Sequence, residues 1–485
     1  MICAMMHHLS KFTFVRLASI ASAVAGLAGQ ASAFHEREII TRDVCVVGGG
    51  SSGTYAAIKL QQMDHSVVVL ESKDRLGGHT ITYVEPENGV AIDYGVQRFE
   101  NDVILRSYFD YLGVPFEFAP KTKSQRFDFQ TGKPLEAVDE AQSQRAVSEL
   151  LQIQGKYPGL DTGFHLPGSV PEDLSMPFGE FVKKHNLEAV VENVAGFSQD
   201  LGSFWDYPAV YSLKYFSPGV IDGVKHHFYR TGYANNSAIY ESATEILGED
   251  ALLNSSIISV DRRTEKDWVS IEVDTSVGPK LIRAKKLVVT IPPLLSSLRP
   301  FDLDQQEMKI FSQFNSSIFH TLLAKIPGFP GNTSFLNRDA GRDGQMPQLP
   351  AIYSVASTVH PDYFVVHYGS EYPMSEAQVR AESMKGINKV LAMHDSVSEP
   401  EIIRYAAHAP YGLRVSSEAV SENFYEHLNH LQGLHNTFYT GAAFHTHDSV
   451  QLWKFTESLL RQNFVRSYRE GSIFSHGGLK QQQVI

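Results

Sequence analysis

Three glycines and one acid carry the plainest chemistry in this chain: Gly48, Gly50, Gly53 and Glu71. They stand in Asp43-Val-Cys-Val-Val-Gly-Gly-Gly-Ser-Ser-Gly-Thr and in Ser66-Val-Val-Val-Leu-Glu71. A Gly-x-Gly-x-x-Gly turn after an apolar run is where a dinucleotide rests its diphosphate. Gly48 permits the sharp turn, Gly50 lets the backbone approach the pyrophosphate, and Gly53 lets the next helix lie close on the sheet. Ser52 falls in the first turn of that helix, whose free N–H groups and positive dipole end favour phosphate. Glu71 lies about 20 residues on, where a carboxylate accepts from ribose hydroxyls. NAD and FAD both fit, so the chemistry is redox.

These residues need a strand, a helix and a second strand to position them. Residues 44–47 and 67–70 are continuous apolar runs, as buried parallel strands are. Between them Gly53, Ala56, Ala57 and Leu60 form one small-residue helical stripe. The segment that follows is Glu71-Ser-Lys-Asp-Arg75-Leu76-Gly77-Gly78-His79. Its paired glycines imply a second close backbone approach to a ligand. Asp93-Tyr94-Gly95-Val96-Gln97 comes next, and Phe438-Tyr-Thr-Gly441-Ala442-Ala443 lies near the C-terminus. The latter predicts a short strand ending in a small-residue turn. A helix follows it, with Asp448 as cap and Gln451 three residues on.

Taken together, these stretches resemble the FAD-dependent amine oxidase superfamily, with its GxGxxG, acid, RxGG and C-terminal strand-Gly-helix. The wording Val-Cys-Val-Val-Gly-Gly-Gly-Ser-Ser-Gly-Thr and Asp-Arg-Leu-Gly-Gly-His-Thr is similar to the fungal beta-cyclopiazonate dehydrogenase family of secondary metabolism. The resemblance implies an α/β fold, with a Rossmann-like FAD-binding domain of the amine-oxidase and glutathione-reductase kind and an interleaved α+β substrate domain. It implies FAD as cofactor, held by Arg75, Gly77, Gly78, His79, Gly95, Val96, Gly441 and Ala442. Main-chain groups of Ile257 would hold the adenine, and the helix start near Val450 would face the pyrimidine end of the flavin. His79 replaces the arginine usual in the family. A cysteinyl flavin link is excluded, because only Cys3 and Cys45 exist, and Cys45 reads as a small core residue. Non-covalent FAD is the expectation, with a link through His79 as the alternative.

The FAD-binding domain is expected in three pieces, residues 42–100, 226–294 and 405–465. Two insertions, 101–225 and 295–404, form the substrate domain. Ser175 reads as the cap of a helix with Pro177 in its first turn. Lys11 and Arg16 flank an apolar run at residues 17–29, and Ala31-Ser32-Ala33 is a small-x-small cleavage site. Residues 1–33 therefore read as a secretory signal peptide, the competing reading being a short retained anchor. No later run reaches the roughly 20 apolar residues that span a bilayer, so no integral membrane segment is expected after cleavage. Sequons at Asn235, Asn254, Asn315 and Asn332 agree with a secreted or lumenal, glycosylated protein. The net charge of −12 argues against nucleic acid and anionic membranes.

The substrate is harder to read. Phe204, Trp205, Tyr207, Tyr211, Tyr215 and Phe216, then Tyr363, Phe364, Tyr368 and Tyr372, predict an aromatic-walled cavity for a large apolar small molecule. For any one of them, ordinary core packing is the competing reading. His445-Thr-His447 has too few companions for a metal, and no metal is expected. It reads as a loop beside the flavin able to relay a proton. No catalytic residue is assignable. The family's usual lysine is missing from Ser316-Ser-Ile-Phe-His-Thr-Leu, which argues against a simple amine. The expected activity is hydride abstraction from a prenylated, terpenoid or alkaloid intermediate, leading to oxidative ring closure. A secreted flavin amine or amino-acid oxidase is the alternative. A non-catalytic chaperone like the GDP-dissociation-inhibitor branch is a remote one, disfavoured by the intact glycines.

Overall fold

The computed structural model describes residues 38–394 and 398–465. The signal-peptide reading of residues 1–33 lies outside them.

Val44–Val47 pair in parallel with Val67–Leu70 on one side and with residues 286–289 on the other. Leu287–Val289 also pair in parallel with the short strand Thr437–Tyr439. The two-residue strand Ala251–Leu252 closes the opposite edge. Alternation then makes two cores from the same strands. Val44, Val46, Val67 and Val69 face one hydrophobic cluster, and Cys45, Val47, Val68 and Leu70 face the other. The first cluster is covered by four helices, Ser51–Gln62, Val103–Leu112, Ala238–Leu247 and Ser449–Asn463. Tyr55 of the first helix stacks on Trp453 of the last at 5.8 Å, and its hydroxyl bonds Glu457. Beyond residue 277 the strand Gly278–Val289 also carries an antiparallel meander, Ser256–Asp261 and Val269–Thr275.

A second sheet has the order Glu401–Arg414, Asn315–Lys325, Tyr363–Ser370, Ala351–Ser357, Thr333–Asn337, Lys123–Phe127 and Pro134–Leu135. Helices between residues 140 and 225 pack beside it. The interleaved α/β and α+β architecture agrees with the expectation, but its boundaries move. Residues 405–414 belong to the second sheet, because Glu401–Arg414 pairs with Asn315–Lys325 along its length. Residues 295–311 stay with the first body, because the buried Arg262 guanidinium bonds Asp302 Oδ1 at 2.7 Å and Glu307 Oε1 and Oε2 at 2.7 and 2.8 Å. Ser175 closes a short helix, Glu172–Ser175, and a new one begins after Pro177 at Phe178. A proline ring blocks the bond that would have joined them.

Candidate active site

The strand Glu38–Val47 enters a turn with three different uses for its missing side chains. Gly48 has φ +99, a left-handed conformation that favours glycine. A Cβ on Gly53 would lie 1.8 Å from the Gly48 carbonyl oxygen, so the helix can sit this close only without one. A Cβ on Gly50 would meet nothing nearer than 3.9 Å. The space beside Gly50 is open. Helix Ser51–Gln62 has no side-chain cap and no acid in its first turn, so its leading N–H groups are free. Glu71 braces the turn: Oε2 accepts from Gly49 N at 2.7 Å and Oε1 from Lys73 N at 2.8 Å. Oε1 also accepts from Ser72 Oγ at 3.2 Å, and Oε2 keeps a further lone pair for a ligand hydroxyl.

The turn forms one end of a cavity of about 350 Å³. Gly48, Gly50, Ser52, Glu71, Gly77 and Gly78 reach its wall, as do His79, Val96, Gly441 and Ala442. Gly53, Arg75, Gly95, Ile257 and Val450 stand off it. Arg75 instead ties down the glycine loop, donating to the carbonyls of Leu76, Thr80 and Gly78 at 3.0, 2.9 and 3.3 Å. Gly95 lets His79 sit close, since a Cβ there would lie 2.1 Å from the His79 carbonyl oxygen. Ile257 lies partly buried on the meander against the core. Val450 is fully buried under the helix start, where Asp448 accepts from the N–H groups of Val450 and Gln451 at 2.8 and 3.0 Å. The apolar Thr290–Pro293 stretch and the Ala409-Pro410-Tyr411 loop complete the wall.

A second cavity of about 510 Å³ adjoins the first. His79, Val96, Tyr411, His447 and Ser449 line both. Phe319 and Thr321, alternate residues of one strand, face it with His408 from the neighbouring strand, whose register partner is Phe319. The Tyr411 and His447 rings stack at 3.8 Å, and those of His79 and His408 lie 4.6 Å apart. Gly412 donates its N–H to His447 Nε2 at 3.1 Å, so a neutral His447 carries its proton on Nδ1. Thr321 meets His408 at 3.3 Å and Ser354 meets His367 at 2.9 Å. Of the predicted aromatics only Tyr215 reaches this wall. Phe204, Tyr211, Phe216, Tyr363, Phe364 and Tyr368 are core, and Tyr372 is exposed. Trp205 lines a separate hollow, and Tyr207 bonds Glu371 and Arg414. His445 turns away from His447 to bond the Asp161 carbonyl at 3.1 Å.

Residues 51–447 match the family described as flavin containing amine oxidoreductase. The chain is 35% identical over 457 residues to FAD-dependent oxidoreductase oblC of Cochliobolus heterostrophus, covering 91% of this chain and 94% of that one. It is 33% identical over 464 residues to beta-cyclopiazonate dehydrogenase of Aspergillus flavus, covering 91% and 97%. The chain belongs to the flavin containing amine oxidoreductases. In fold it is similar to a CLA-producing fatty acid isomerase from P. acnes, with a TM-score of 0.74 at 22% identity over 87% of this chain and 99% of that one. Putrescine oxidase has the same fold, with a TM-score of 0.64 at 15% identity over 87% and 100%.

This flavin amine oxidoreductase is an FAD-dependent enzyme, and the first cavity fits FAD on its own terms. Among the described residues Ser51 Oγ, buried at the helix start, has no hydrogen-bond partner, and the free N–H groups around it suit a diphosphate. The open space beside Gly50 is where a diphosphate approaches the backbone. Gly50→Val is therefore expected to fold, with a thermal midpoint close to that of the apo wild type, since its added Cβ meets nothing nearer than 3.9 Å and borders the open cavity. Its FAD content after gel filtration is expected to fall at least about tenfold. Full flavin occupancy in Gly50→Val would remove the turn from the binding site.

The imidazoles around the rim are neutral. Burial, with Lys73 and Arg75 nearby, lowers the His79 pKa to about 4. Burial and Arg98 lower His367 to about 4. Burial, then the neighbouring His79, pushes His408 and His447 well below the usual histidine range. The unfolded chain binds these protons near pH 6.5 and the folded one only at lower pH, near 4 for His79 and His367, so stability is complete above 6.5 and falls as pH drops below it. Burial raises Asp93 to about 7 and lifts Glu100 and Asp448 as well, which opposes the trend. His320 and His445, likewise kept neutral by burial, join the four imidazoles, and the six outweigh these three carboxyls. The thermal midpoint is expected to fall steadily from pH 6.5 to 4, and a flat or rising curve would contradict the neutral cluster.

Proposed function

We propose that this enzyme removes a hydride from a carbon of a large, apolar secondary-metabolite intermediate, and that the electron-deficient substrate then closes a ring on itself. The observation that carries this reading is the second cavity, which opens on the FAD cleft along a rim of aromatic and neutral imidazole side chains. FAD, when bound, supplies the two-electron acceptor. The chain's residues do the rest. Phe319, Tyr411 and Phe197 shelter the reacting carbon from water and lie against a flat or terpenoid skeleton. Ring closure releases one proton, and a neutral imidazole, His79 at the rim or His408 beside it, can accept it, while His447 has its acceptor nitrogen engaged by Gly412 N–H.

The amine-oxidase alternative is less well supported. Among the described residues no lysine lines the cavity, and its one acid, Asp448, is engaged in capping a helix. A cationic amine would find no counter-charge there. The relative named beta-cyclopiazonate dehydrogenase also favours the first reading. The proposal includes a secretory location, with Asn254, Asn315 and Asn332 exposed for glycosylation and Asn235 half-buried. Gene deletion in the host, followed by identification of the accumulating metabolite, tests the substrate class. A polycyclic or prenylated intermediate lacking one ring is expected. A simple amine in its place would overturn the proposal.

A further inference from the structure

We propose that Arg98 anchors a delocalised oxyanion on the substrate, a carboxylate or the enolate of a 1,3-dicarbonyl, so that the second cavity takes amphiphilic acids. This names the substrate class of the cavity read above and rests on that reading.

Arg98 stands out by what it lacks. It lines the second cavity and the small hollow beside it, and it is exposed to that space. Among the described residues its guanidinium makes no hydrogen bond and no ion pair. The other arginines of these walls are matched. Arg338 makes a two-pronged pair with Glu192 at 2.9 and 2.8 Å. Arg230 bonds Glu117 at 2.8 Å.

The backbone under Arg98 is fixed. Val96 lies on the shared rim, and Phe99 exchanges both backbone bonds with Tyr229 at 2.8 Å. The fork is thus presented from a rigid edge. Burial and the like charge of Arg230 lower the Arg98 pKa, a strain that an arriving anion relieves. The hydroxyls of Thr122 and Ser124 share this wall and have no side-chain partner among the described residues. A planar guanidinium matches the two oxygens of a delocalised anion, which an ammonium does not. With its acid group at Arg98, a substrate lays its apolar carbons along Phe319 and Tyr411 toward the rim.

Calorimetric titration of the flavin-loaded enzyme tests this with two matched pairs of probes. One pair is abietate and methyl abietate, and the other is 4-hydroxycoumarin and 4-methoxycoumarin. In at least one pair the acid is expected to bind about 10- to 100-fold more tightly than its neutral partner. A preference in the first pair alone identifies a carboxylate site, and in the second alone an enolate site. Arg98→Met breaks no internal bond, and it should abolish the preference while leaving the neutral probe within about twofold. Arg98→Lys should retain part of it. Equal affinity for acid and neutral probes in the wild type overturns the anchor, as does an equal loss for both in Arg98→Met. Bleaching of the flavin spectrum by the metabolite that accumulates on gene deletion reads the redox function separately. An enzyme that bleaches yet shows no acid preference keeps the proposed function and loses the anchor.

Discussion

Gly53→Ala will cost this enzyme both its flavin and its fold. The added Cβ would lie 1.8 Å from the Gly48 carbonyl oxygen and 2.8 Å from Thr290 Oγ1. Neither atom can swing away. The first belongs to the backbone of the diphosphate turn. The second donates to the Val47 and Gly48 carbonyls, both at 3.0 Å. Relief requires the helix Ser51–Gln62 to lift from the sheet, and that helix is buried against Trp453 and the valines of two strands. Overpacking of a well-filled core costs about 1–3 kcal/mol and occasionally more. A clash with main chain belongs at or above the top of that range. Soluble yield and thermal midpoint should both fall sharply, and the absorbance ratio of flavin to protein should drop at least about tenfold. A yellow variant with a wild-type midpoint would show that the helix is not seated as described. Gly50→Val separates the two effects, since it should lose flavin and keep the fold.

Arg262→Met is expected to destabilise the enzyme by about 3–5 kcal/mol without touching the cavities. The guanidinium is wholly buried and feeds five acceptors, including the Tyr439 hydroxyl and both oxygens of Glu307, which is itself 0% exposed. Tyr439 adds a hydroxyl bond to Glu307 at 2.7 Å. Removing the cation leaves a carboxylate in the interior with one phenol and a helix-cap N–H for company. Denaturant unfolding measures the loss. The double variant Arg262→Met with Glu307→Leu should recover much of it, because two apolar groups of similar volume leave no charge stranded. Flavin content in the folded fraction should stay at the wild-type level. A loss under about 1 kcal/mol would mean that water reaches Glu307.

The cofactor half of this molecule was legible because its signals are local. Gly48, Gly50 and Gly53 lie within six residues of one another, and each responds to a constraint visible in the sequence: a turn, an approach, a packed helix. Asp448 announces its helix in the same way. The substrate half depends on pairings that no short window contains. Phe319 and His408 are register partners from strands far apart in the chain, and Tyr411 meets His447 only after a further helical stretch has intervened. Aromatic density therefore pointed to Tyr211, Phe216 and Phe364, which hold the core. The wall aromatics Phe197, Phe319 and Tyr411 stand singly among other residues. The period-two alternation of Phe319 and Thr321 was the one available hint. Arg98 gave none, since an unpaired charge can be recognised only once all its neighbours are placed. The boundary near residue 405 moved for the same reason: Glu401–Arg414 reads as a strand in either body, and its partner decides.

The late strand Thr437–Tyr439 has a consequence for biosynthesis. It completes the sheet beside Leu287–Val289, and Gly441 just beyond it closes the cleft opposite the first glycines. A nascent polypeptide emerging from the ribosome therefore holds its N-terminal diphosphate turn for tens of seconds, at roughly 5–20 residues per second, before the opposing wall exists. Flavin capture must therefore wait until this late strand and its glycine have been made. Prematurely terminated products would expose the unfinished parallel edge, and that is the species quality control has to remove.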